Sequence, residues 1–234
     1  MAEAQSERPY TVLSASMSID GFLDDASERR LVLSNDADLD RVDAVRASCD
    51  AILVGAATVR NDNPRLLVRS QARRDARVAA GLAPNPVKVT MTTTAKLDPG
   101  ASFFACGESE KLVYTSRCRV EDARLALGHV ATVVDGGDPV EPRRISEDLR
   151  ARGVRRLMVE GGGTTLTQFL AHDLADELQL VVAPFFVGDA RGVRVVGDGP
   201  FPWNPERRGT LLDVERIDDL VLLRYALSER CPRG

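Results

Sequence analysis

A run of three glycines between a strand-like and a helix-like segment is the feature that most constrains how this chain can fold. Residues 157–166 read Leu-Met-Val-Glu-Gly-Gly-Gly-Thr-Thr-Leu. An apolar run, an acid, glycines and then apolar residues at helical spacing predict a buried strand, a tight turn and a helix start. Such a turn leaves backbone N–H groups free at the partly positive end of a helix, which suits a phosphate or diphosphate.

The glycine run also has a purely structural interpretation, because a tight strand–helix connection without any ligand would carry similar residues. Glu160 stands at the predicted strand end, where the crevice of an open α/β sheet usually holds its ligand. The choice between the two interpretations therefore depends on the other segments of the chain.

Strand-like and helix-like segments alternate along the rest of the chain. Strands are predicted at residues 10–15, 51–54, 87–91, 111–114, 130–134, 178–183, 209–217 and 220–226. Helices are predicted at residues 36–48, 56–60 and 146–152. This alternation predicts an α/β fold with a mostly parallel sheet covered on both faces. The last two strands, joined at Asp218 and Asp219, predict an antiparallel hairpin at one edge.

The stretch 70–83 interrupts this alternation. It is rich in Arg and Ala and ends at a Pro-Asn-Pro sequence. These features predict an exposed helical excursion, which is either a lid over a site or a tolerated surface element.

Composition excludes several classes of protein. The chain has 234 residues, of which 44% are hydrophobic and 28% charged, and its net charge of −4 leaves no basic face for nucleic acid. No apolar run approaches the roughly 20 residues that span a bilayer, and the polar N-terminus lacks the apolar core of a signal peptide. We therefore expect a cytoplasmic protein with a disordered tail at residues 1–8 and one domain at residues 9–228.

Cysteine and histidine offer no metal site. The widely spaced cysteines predict reduced thiols and the isolated histidines predict surface positions. These residues are Cys49, Cys106, Cys118, Cys231, His129 and His172. The motifs of a zinc-dependent base deaminase and of a Ser-His-Asp hydrolase do not occur. Any catalysis must therefore use carboxylates, hydroxyls, arginines and a bound cofactor.

Three segments, taken together and in order, resemble a known family. They are residues 14–22, residues 46–69, and the glycine segment followed by residues 176–178 and 183–188. The set resembles the pyrimidine reductases of riboflavin biosynthesis, also known as the reductase domain of the bifunctional deaminase/reductase. These belong to the dihydrofolate-reductase-like superfamily. The resemblance covers nearly the whole chain, and because no deaminase domain precedes it the chain resembles the stand-alone form.

The resemblance implies a dihydrofolate-reductase-like fold of three layers, with a central mostly parallel sheet and a C-terminal antiparallel hairpin. It implies NADPH as cofactor and a homodimer, for which the apolar segment 183–187 is the candidate interface. The implied reaction reduces the ribosyl group of a 5-amino-6-(5-phosphoribosylamino)pyrimidine, in its uracil or its diamino form, to a ribityl chain.

By position, the resemblance also assigns roles to individual residues. At the cofactor it places Ser16, Thr58, Asp62, Gly161, Gly162, Gly163, Thr164 and Thr165. At the substrate it places Arg46, Leu66, Arg69 and Glu160.

The two carboxylates of this set, Asp62 and Glu160, are the candidate catalytic residues. Asp62 either orients the nicotinamide or relays a proton, and Glu160 accepts N–H groups of the pyrimidine. A carboxylate needs a raised pKa to donate a proton near neutrality. As a plain Asx-turn residue, Asp62 needs no function at all.

Residue chemistry supports part of this assignment. Arg46 and Arg69 suit a substrate phosphate because a planar guanidinium binds phosphate through two hydrogen bonds. Arg46 also fits a helix C-terminus, and Arg69 also fits a surface charge. Thr93, within the hydroxyl cluster 92–94 and near Lys96, suits the adenosine 2′-phosphate of the cofactor, although these threonines also fit a plain strand end.

The chain departs from the fused bacterial pattern at two positions. Ser14 stands where that pattern has a lysine, and Val32 stands where it commonly has a tryptophan, which bears on the exact substrate more than on the cofactor. Three alternatives stay open: a dihydrofolate or pterin reductase, a relative in a specialised pathway, and a non-catalytic NADPH-binding protein. Arg46 and Arg69 favour a phosphorylated ribosyl substrate over a folate.

Overall fold

A sheet of nine strands runs through the part of the chain that the computed structural model describes, residues 7–27 and 31–232. Two short strands form a separate antiparallel pair. The strands are β1 (Tyr10–Ser18), β2 (Phe22–Asp24), β3 (Ala51–Gly55), β4 (Val87–Thr92), β5 (Lys111–Thr115), β6 (Thr132–Asp135), β7 (Arg156–Glu160), β8 (Glu177–Ala183), β9 (Val193–Arg194), β10 (Thr210–Ile217) and β11 (Leu220–Ala226). The helices are α1 (Asp36–Ala47), α2 (Ala56–Asp62), α3 (Gln71–Ala79), α4 (Ser102–Ala105), α5 (Val120–Leu127), α6 (Pro142–Ala151) and α7 (Gly163–Ala171), with a 3₁₀ turn at Arg117–Arg119.

The nine strands lie in the order β10-β11-β8-β1-β7-β3-β4-β5-β6. From β8 to β6 they run parallel, and β11 and β10 extend the β8 edge as an antiparallel hairpin. The central strand β3, Ala-Ile-Leu-Val-Gly, is buried along its whole length because both of its faces are covered. The predicted mostly parallel sheet with a C-terminal hairpin is confirmed.

Helices cover both faces of the sheet, so the molecule has the three predicted layers. Successive side chains of β3 point to opposite faces, and Leu53 and Ile52 accordingly join different apolar clusters. On the Leu53 face, α7 contributes Phe169, and on the Ile52 face α5 contributes Leu127. Each buried side chain of this size stabilises the fold by about 1.5–3 kcal/mol.

The order of the strands creates a crevice at the carboxyl end of β7. From β3 to β6 each strand lies beside the preceding one, and the chain then crosses back to place β7 between β1 and β3. From β7 it continues in the same direction, to β8 on the far side of β1, so the connections that leave the adjacent strands β3 and β7 run to opposite sides. Where the connections from two adjacent strands leave in opposite directions, the loops at the carboxyl ends of those strands part and leave room for a ligand.

Some element ends differ from the sequence prediction. β1 continues to Ser18, beyond the predicted end at residue 15, because its last residues pair with β8. α6 begins at Pro142, before the predicted start at residue 146, since proline is favoured in the first turn of a helix. The sequence did not predict α5 or the β2–β9 pair, because these elements are short. In addition, the pairing of β2 with β9 depends on the finished fold.

The predicted excursion at residues 70–83 contains α3, and it is a docked helix rather than a simply exposed one. The Ser70 side chain caps α3, and the Arg77 side chain is buried. Arg77 donates hydrogen bonds to three main-chain carbonyls, those of Ala47, Cys49 and Ala83. These bonds tie α3 to the end of α1 and to the start of β3.

At the N-terminus, residues 1–6 of the predicted tail lie outside the described residues, whereas the Arg8 side chain donates to the Asp176 carboxylate at 2.6 Å. No helix of the described ranges is long and apolar enough to cross a membrane. Within those ranges, the His, Cys, Asp and Glu side chains form no group of three or more that could hold a metal ion.

Beyond β8, the candidate interface segment 183–187 leaves the sheet. β8 ends at Ala183, and the exposed Phe186 lies in the loop that follows. His129 and His172 are both exposed, in agreement with their predicted surface positions.

Candidate active site

Adjacent strands bring the predicted site residues to one edge of the sheet. Ser16 lies near the carboxyl end of β1, and Glu160 ends β7 beside it. Thr58 lies in the helix that follows β3, and Thr93 directly follows β4. Neighbouring strands are about 4.8 Å apart, so the edge from β7 to β4 spans about 10 Å. The groups come from distant parts of the sequence and meet at the predicted crevice.

The first two glycines of the turn serve the backbone conformation. Gly161 has φ +63° and Gly162 has φ +78°, both in the region that side-chain-bearing residues rarely adopt. Gly162 is the N-cap of α7, and no side chain caps the helix.

The turn consequently leaves N–H groups unused. In the described part of the chain, the first main-chain bond of α7 runs from the Leu166 N–H to the Gly162 carbonyl. The N–H groups of Gly163, Thr164 and Thr165 therefore have no partner within these residues. An uncapped helix N-terminus of this kind is suited to binding an anion.

The third glycine serves close packing. A Cβ on Gly163 would collide with the carbonyl oxygen of Arg194 in β9, so α7 and the β2–β9 pair approach each other at this point. Thr165 is buried, and its hydroxyl lies 2.5 Å from where a Cβ on Gly55 would stand. Thr165 thus packs the turns after β3 and β7 together, whereas Thr164 is exposed at the start of α7.

A cleft of about 400 Å³ lies beside the first two turns of α7. It is lined by Gly163, Thr164, Thr167, Gln168, Val193, Arg194, Gly197 and Asp198. The Thr167 hydroxyl accepts the Gly197 N–H at 2.8 Å, which fixes the far wall to the helix. The Gln168 Oε1 atom is buried without a hydrogen-bond partner in the described part of the chain. Sequence reasoning missed the wall at residues 193–198, which has no helical or strand periodicity.

The two predicted substrate residues Arg46 and Glu160 bind each other. Arg46 Nε donates to Glu160 Oε1 at 2.6 Å, and Arg46 Nη2 donates to Glu160 Oε2 at 2.5 Å. Their side chains are only 19% and 15% exposed, so water screens the pair weakly. Burial would lower the pKa of Arg46, but the Glu160 charge outweighs burial and raises that pKa.

This pair gives Arg46 a structural contact, and its predicted role at the substrate stays a prediction. One edge of its guanidinium is occupied by Glu160, and its Nη1 contacts the Leu67 carbonyl oxygen at 3.4 Å. Arg46 therefore connects the end of β7 with the loop around Leu67. It does not bind the carbonyls at the end of its own helix, which was the structural alternative.

The loop before α3 presents Arg69 to solvent. Among the described residues, hydrogen bonds hold only the backbone of Arg69, and its exposed guanidinium has neither a hydrogen bond nor an ion pair. Leu66 has φ +48°, and the whole residue is only 2% exposed within the apolar cluster on the Ile52 face. Its substrate contact stays a prediction.

The remaining predicted residues lie around this edge. Asp62 is exposed at the end of α2, and Asn63 after it is left-handed at φ +44°. The Ser16 hydroxyl lies 3.2 Å from that of Ser34 and donates to Asp38 at 3.4 Å.

The threonine cluster divides into a structural and an exposed part. The Thr92 hydroxyl accepts the N–H groups of Thr94 and Ala95, so Thr92 forms the strand-end turn of the structural alternative. Thr93 is exposed, and its carbonyl accepts the hydroxyl hydrogen of Ser116. Ser116 lies beyond β5 and was missed from the sequence.

Two buried aspartates of α1 were also missed. Asp38 and Asp43 are 0% and 1% exposed, although in the sequence they belong to the charged positions of an amphipathic helix. Asp43 accepts the N–H groups of Arg69 and Ser70 and pairs with Arg73. Burial alone would raise the pKa of Asp43, but these donors lower it below its ordinary value.

Comparisons with known proteins bear on this geometry. The family described as the RibD C-terminal domain matches residues 9–223. The chain is 38% identical over 193 residues to the 2,5-diamino-6-ribosylamino-4(3H)-pyrimidinone 5′-phosphate reductase of Archaeoglobus fulgidus, covering 82% of this chain and 87% of the relative. It is 35% identical to the protein of the same name from Methanothermobacter thermautotrophicus, covering 82% and 85%.

Solved structures share the fold. A pyrimidine reductase-like protein from Corynebacterium diphtheriae is 22% identical, with a TM-score of 0.80 over 93% of this chain and 91% of that chain. A deaminase/reductase from Thermotoga maritima is 24% identical, with a TM-score of 0.74 over 94% of this chain and 57% of that chain. At these identities the structures establish the architecture and not the chemistry.

Proposed function

Because the chain belongs to the RibD C-terminal domain family, we propose that it reduces a phosphoribosylamino-pyrimidine in riboflavin biosynthesis with NADPH. The substrate is a 5-amino-6-(5-phosphoribosylamino)pyrimidine, in its uracil or diamino form, and the product carries a ribityl chain. The observation that carries the proposal is the juxtaposition, at the carboxyl end of β7, of an uncapped helix N-terminus and the shielded Arg46–Glu160 pair.

The cofactor half of the proposal rests on the glycine turn. The N–H groups of Gly163 and Thr164, which have no partner among the described residues, suit the diphosphate, and Gly162 packs closely against Thr58, whose hydroxyl would lie 3.1 Å from a Cβ at that glycine. We assign Ser16 to the nicotinamide side and Thr93 to the adenosine 2′-phosphate. When bound, NADPH supplies the hydride, and the chain's own residues hold and orient the two reactants.

The substrate half rests on charge. The exposed guanidinium of Arg69 is available to the 5′-phosphate. Each oxygen of Glu160 accepts one bond from Arg46 and has a further lone pair for an N–H of the aminopyrimidine. A carboxylate held in an ion pair with Arg46 acts as an acceptor. Asp62, at the exposed end of α2, is therefore the remaining candidate for relaying the proton that completes the reduction.

The test is to follow NADPH oxidation by the purified protein with the diamino and deaminated pyrimidine phosphates and dihydrofolate offered in parallel, and to repeat it with NADH. We expect turnover of a pyrimidine phosphate, faster with NADPH than with NADH. Turnover of dihydrofolate alone would replace the proposal with a folate or pterin reductase. Tight NADPH binding without turnover of any acceptor would replace it with a non-catalytic binding protein.

We also propose the predicted organisation of the chain: one domain at residues 9–228 and a homodimer. Light scattering of the purified protein during size-exclusion chromatography tests the dimer, which should have twice the chain's mass of 25.4 kDa. A monomeric mass at micromolar concentration would contradict it.

A further inference from the structure

The loop between α2 and α3 is held by side chains at nearly every backbone group from residue 67 to residue 70. The Leu67 carbonyl accepts from Arg46, and the Val68 N–H donates to Asn85 Oδ1 at 2.9 Å. The Val68 and Arg69 carbonyls accept from Arg74 at 2.6 and 2.8 Å, and the Arg69 and Ser70 N–H groups donate to the two oxygens of Asp43. We call this set of contacts the loop clamp.

Water could satisfy the backbone N–H and C=O groups of a surface loop without any side chain. The loop clamp therefore adds a cost in side-chain entropy that the loop does not need for its own solvation. Ordering an arginine or asparagine side chain costs side-chain conformational entropy, which opposes folding. Asp43 is also nearly fully buried, and its charge is balanced by Arg73, which donates to it at 2.9 Å and pairs with Asp40 as well. Four side chains are therefore committed to the shape of one four-residue segment.

The clamped segment carries the Arg69 guanidinium, which forms no hydrogen bond or ion pair with the described residues and feels the charge of Asp40 at longer range. The N–H of Arg69 is held by Asp43 from α1, and its carbonyl is held by Arg74 from α3. Fixing the backbone on both sides of a residue fixes the direction in which its side chain leaves the chain. Through the Leu67 carbonyl, the same segment also contacts Arg46, whose partner is Glu160.

We propose that Asp43 and Arg74 are positioning residues, which hold the loop so that Arg69 is pre-oriented to bind the phosphate of the substrate. The inference rests on the proposed function for the role of Arg69. It assigns the 70–83 excursion a role as a fixed brace for the substrate loop, in place of a lid or a tolerated surface element. Pre-orientation strengthens binding because the loop need not be ordered when the substrate arrives.

The matched variants are Asp43→Ala and Asp40→Ala, both in α1. Both aspartates pair with Arg73 and Asp40 also interacts electrostatically with the Arg69 charge, but only Asp43 hydrogen-bonds the loop backbone. Asp43→Ala should raise KM for the pyrimidine phosphate by about 10-fold and weaken inhibition by ribose 5-phosphate by the same factor. The kcat value and the Kd of NADPH should stay within about two-fold, and Asp40→Ala should leave KM within about two-fold.

A second variant covers the case in which Asp43→Ala does not fold. Arg74→Gln retains Asp43 and its two bonds but removes the guanidinium from the Val68 and Arg69 carbonyls, and the same selective rise in KM is expected. In the background of Arg69→Ala, either clamp variant should add almost nothing, because the clamp acts through Arg69. Effects that add fully to Arg69→Ala, or that fall on kcat and NADPH binding alone, would overturn the inference.

Failure of the proposed function has a different signature. If the wild-type protein reduces no pyrimidine phosphate, ribose 5-phosphate binding is measured directly by calorimetry. Selective weakening of that binding in Asp43→Ala and Arg74→Gln would support the clamp without the reaction. Equal binding by the wild-type and variant proteins, or no binding by the wild-type protein, would overturn it.

Discussion

The clamped loop at residues 67–70 and the glycine turn at residues 161–165 are built in opposite ways. In the loop, side chains of α1 and α3 take up the backbone groups. In the turn, glycines replace side chains and the first N–H groups of α7 have no partner among the described residues. A loop that recognises a ligand through a side chain needs a fixed backbone, whereas a turn that recognises it through the backbone must leave that backbone bare.

The Arg46–Glu160 pair joins the two regions. Glu160 immediately precedes the glycine turn, and Arg46 contacts the Leu67 carbonyl in the loop. A shielded ion pair adds little stability over an apolar pair of the same shape. Removing only one of its partners, however, is strongly destabilising. The pair therefore serves mainly to hold the glycine turn and the clamped loop at a fixed distance from each other.

The largest effect should follow from breaking this link. Glu160→Ala leaves the shielded Arg46 guanidinium without its carboxylate, which should lower the free energy of unfolding by about 3–5 kcal/mol. Urea unfolding measures the loss. Glu108→Ala, at an exposed carboxylate, should change stability by less than about 0.5 kcal/mol. A loss below about 1 kcal/mol in Glu160→Ala would mean that water already supports Arg46 and that the pair does not join the two regions.

A second prediction removes the side chain that the clamped loop presents. Arg69→Ala should raise KM for the pyrimidine phosphate by about 100-fold, because a charge-assisted bond to phosphate contributes about 1.5–3 kcal/mol. The Kd of NADPH and the melting temperature should hardly change, because the guanidinium is exposed and forms no hydrogen bond or ion pair with the described residues. The exposed Arg65 provides the control, and Arg65→Ala should behave as wild type. An equal loss in both variants would indicate a diffuse charge effect.

A third prediction concerns the addition of a methyl group to the glycine turn. Gly163→Ala places a methyl group against the Arg194 carbonyl, which should cost about 2 kcal/mol and weaken NADPH binding by about 30-fold in a fluorescence titration. Gly161→Ala meets no atom within 4 Å, so it should cost only about 1–2 kcal/mol of stability for its positive φ. NADPH binding weakened more by Gly161→Ala than by Gly163→Ala would contradict the division of roles within the turn.

The smallest expected effect is a change of stability with pH. It arises from the Asp43 charge, which belongs to the clamped loop and not to the glycine turn. Donors lower the pKa of Asp43 below its ordinary 3.8, so its stabilising contribution is complete above pH 3.8 and is lost as the pH falls through the lowered value. The stability difference between wild type and Asp43→Asn should therefore shrink in urea unfolding below about pH 3.8. Asp122→Asn, at an exposed carboxylate of α5, is the control at neutral pH and should change stability there by less than about 0.5 kcal/mol. A constant difference down to the lowest pH reached would exclude a role for the Asp43 charge in the clamp.

The sequence predicted those parts of the molecule that depend on local pattern. The alternation of strands and helices, the C-terminal hairpin and the glycine turn all follow from periodicity and from residues with special backbone freedom. The role of α3 does not, because Arg73, Arg74 and Arg77 resemble the solvated face of a helix until their carbonyl and carboxylate partners are known.

The same limit applied to the candidate site. Arg46 and Glu160 are 114 residues apart, and no local pattern reveals that they bind each other. Asp43 matches a charged helix position in the sequence, and its burial depends on where the loop at residues 67–70 returns to α1. Contacts between residues that are far apart in the sequence are therefore the part of the site that only the structure reveals.

Hydrogen–deuterium exchange of single amides, with and without NADPH, tests the contrast between the two regions most directly. The N–H groups of residues 163–165 should exchange fast in the free protein and slowly when NADPH is bound. The N–H groups of residues 68–70 should exchange slowly in both states, because Asn85 and Asp43 already hold them. Slow exchange at residues 163–165 without NADPH, or fast exchange at residues 68–70 in the free protein, would contradict the account.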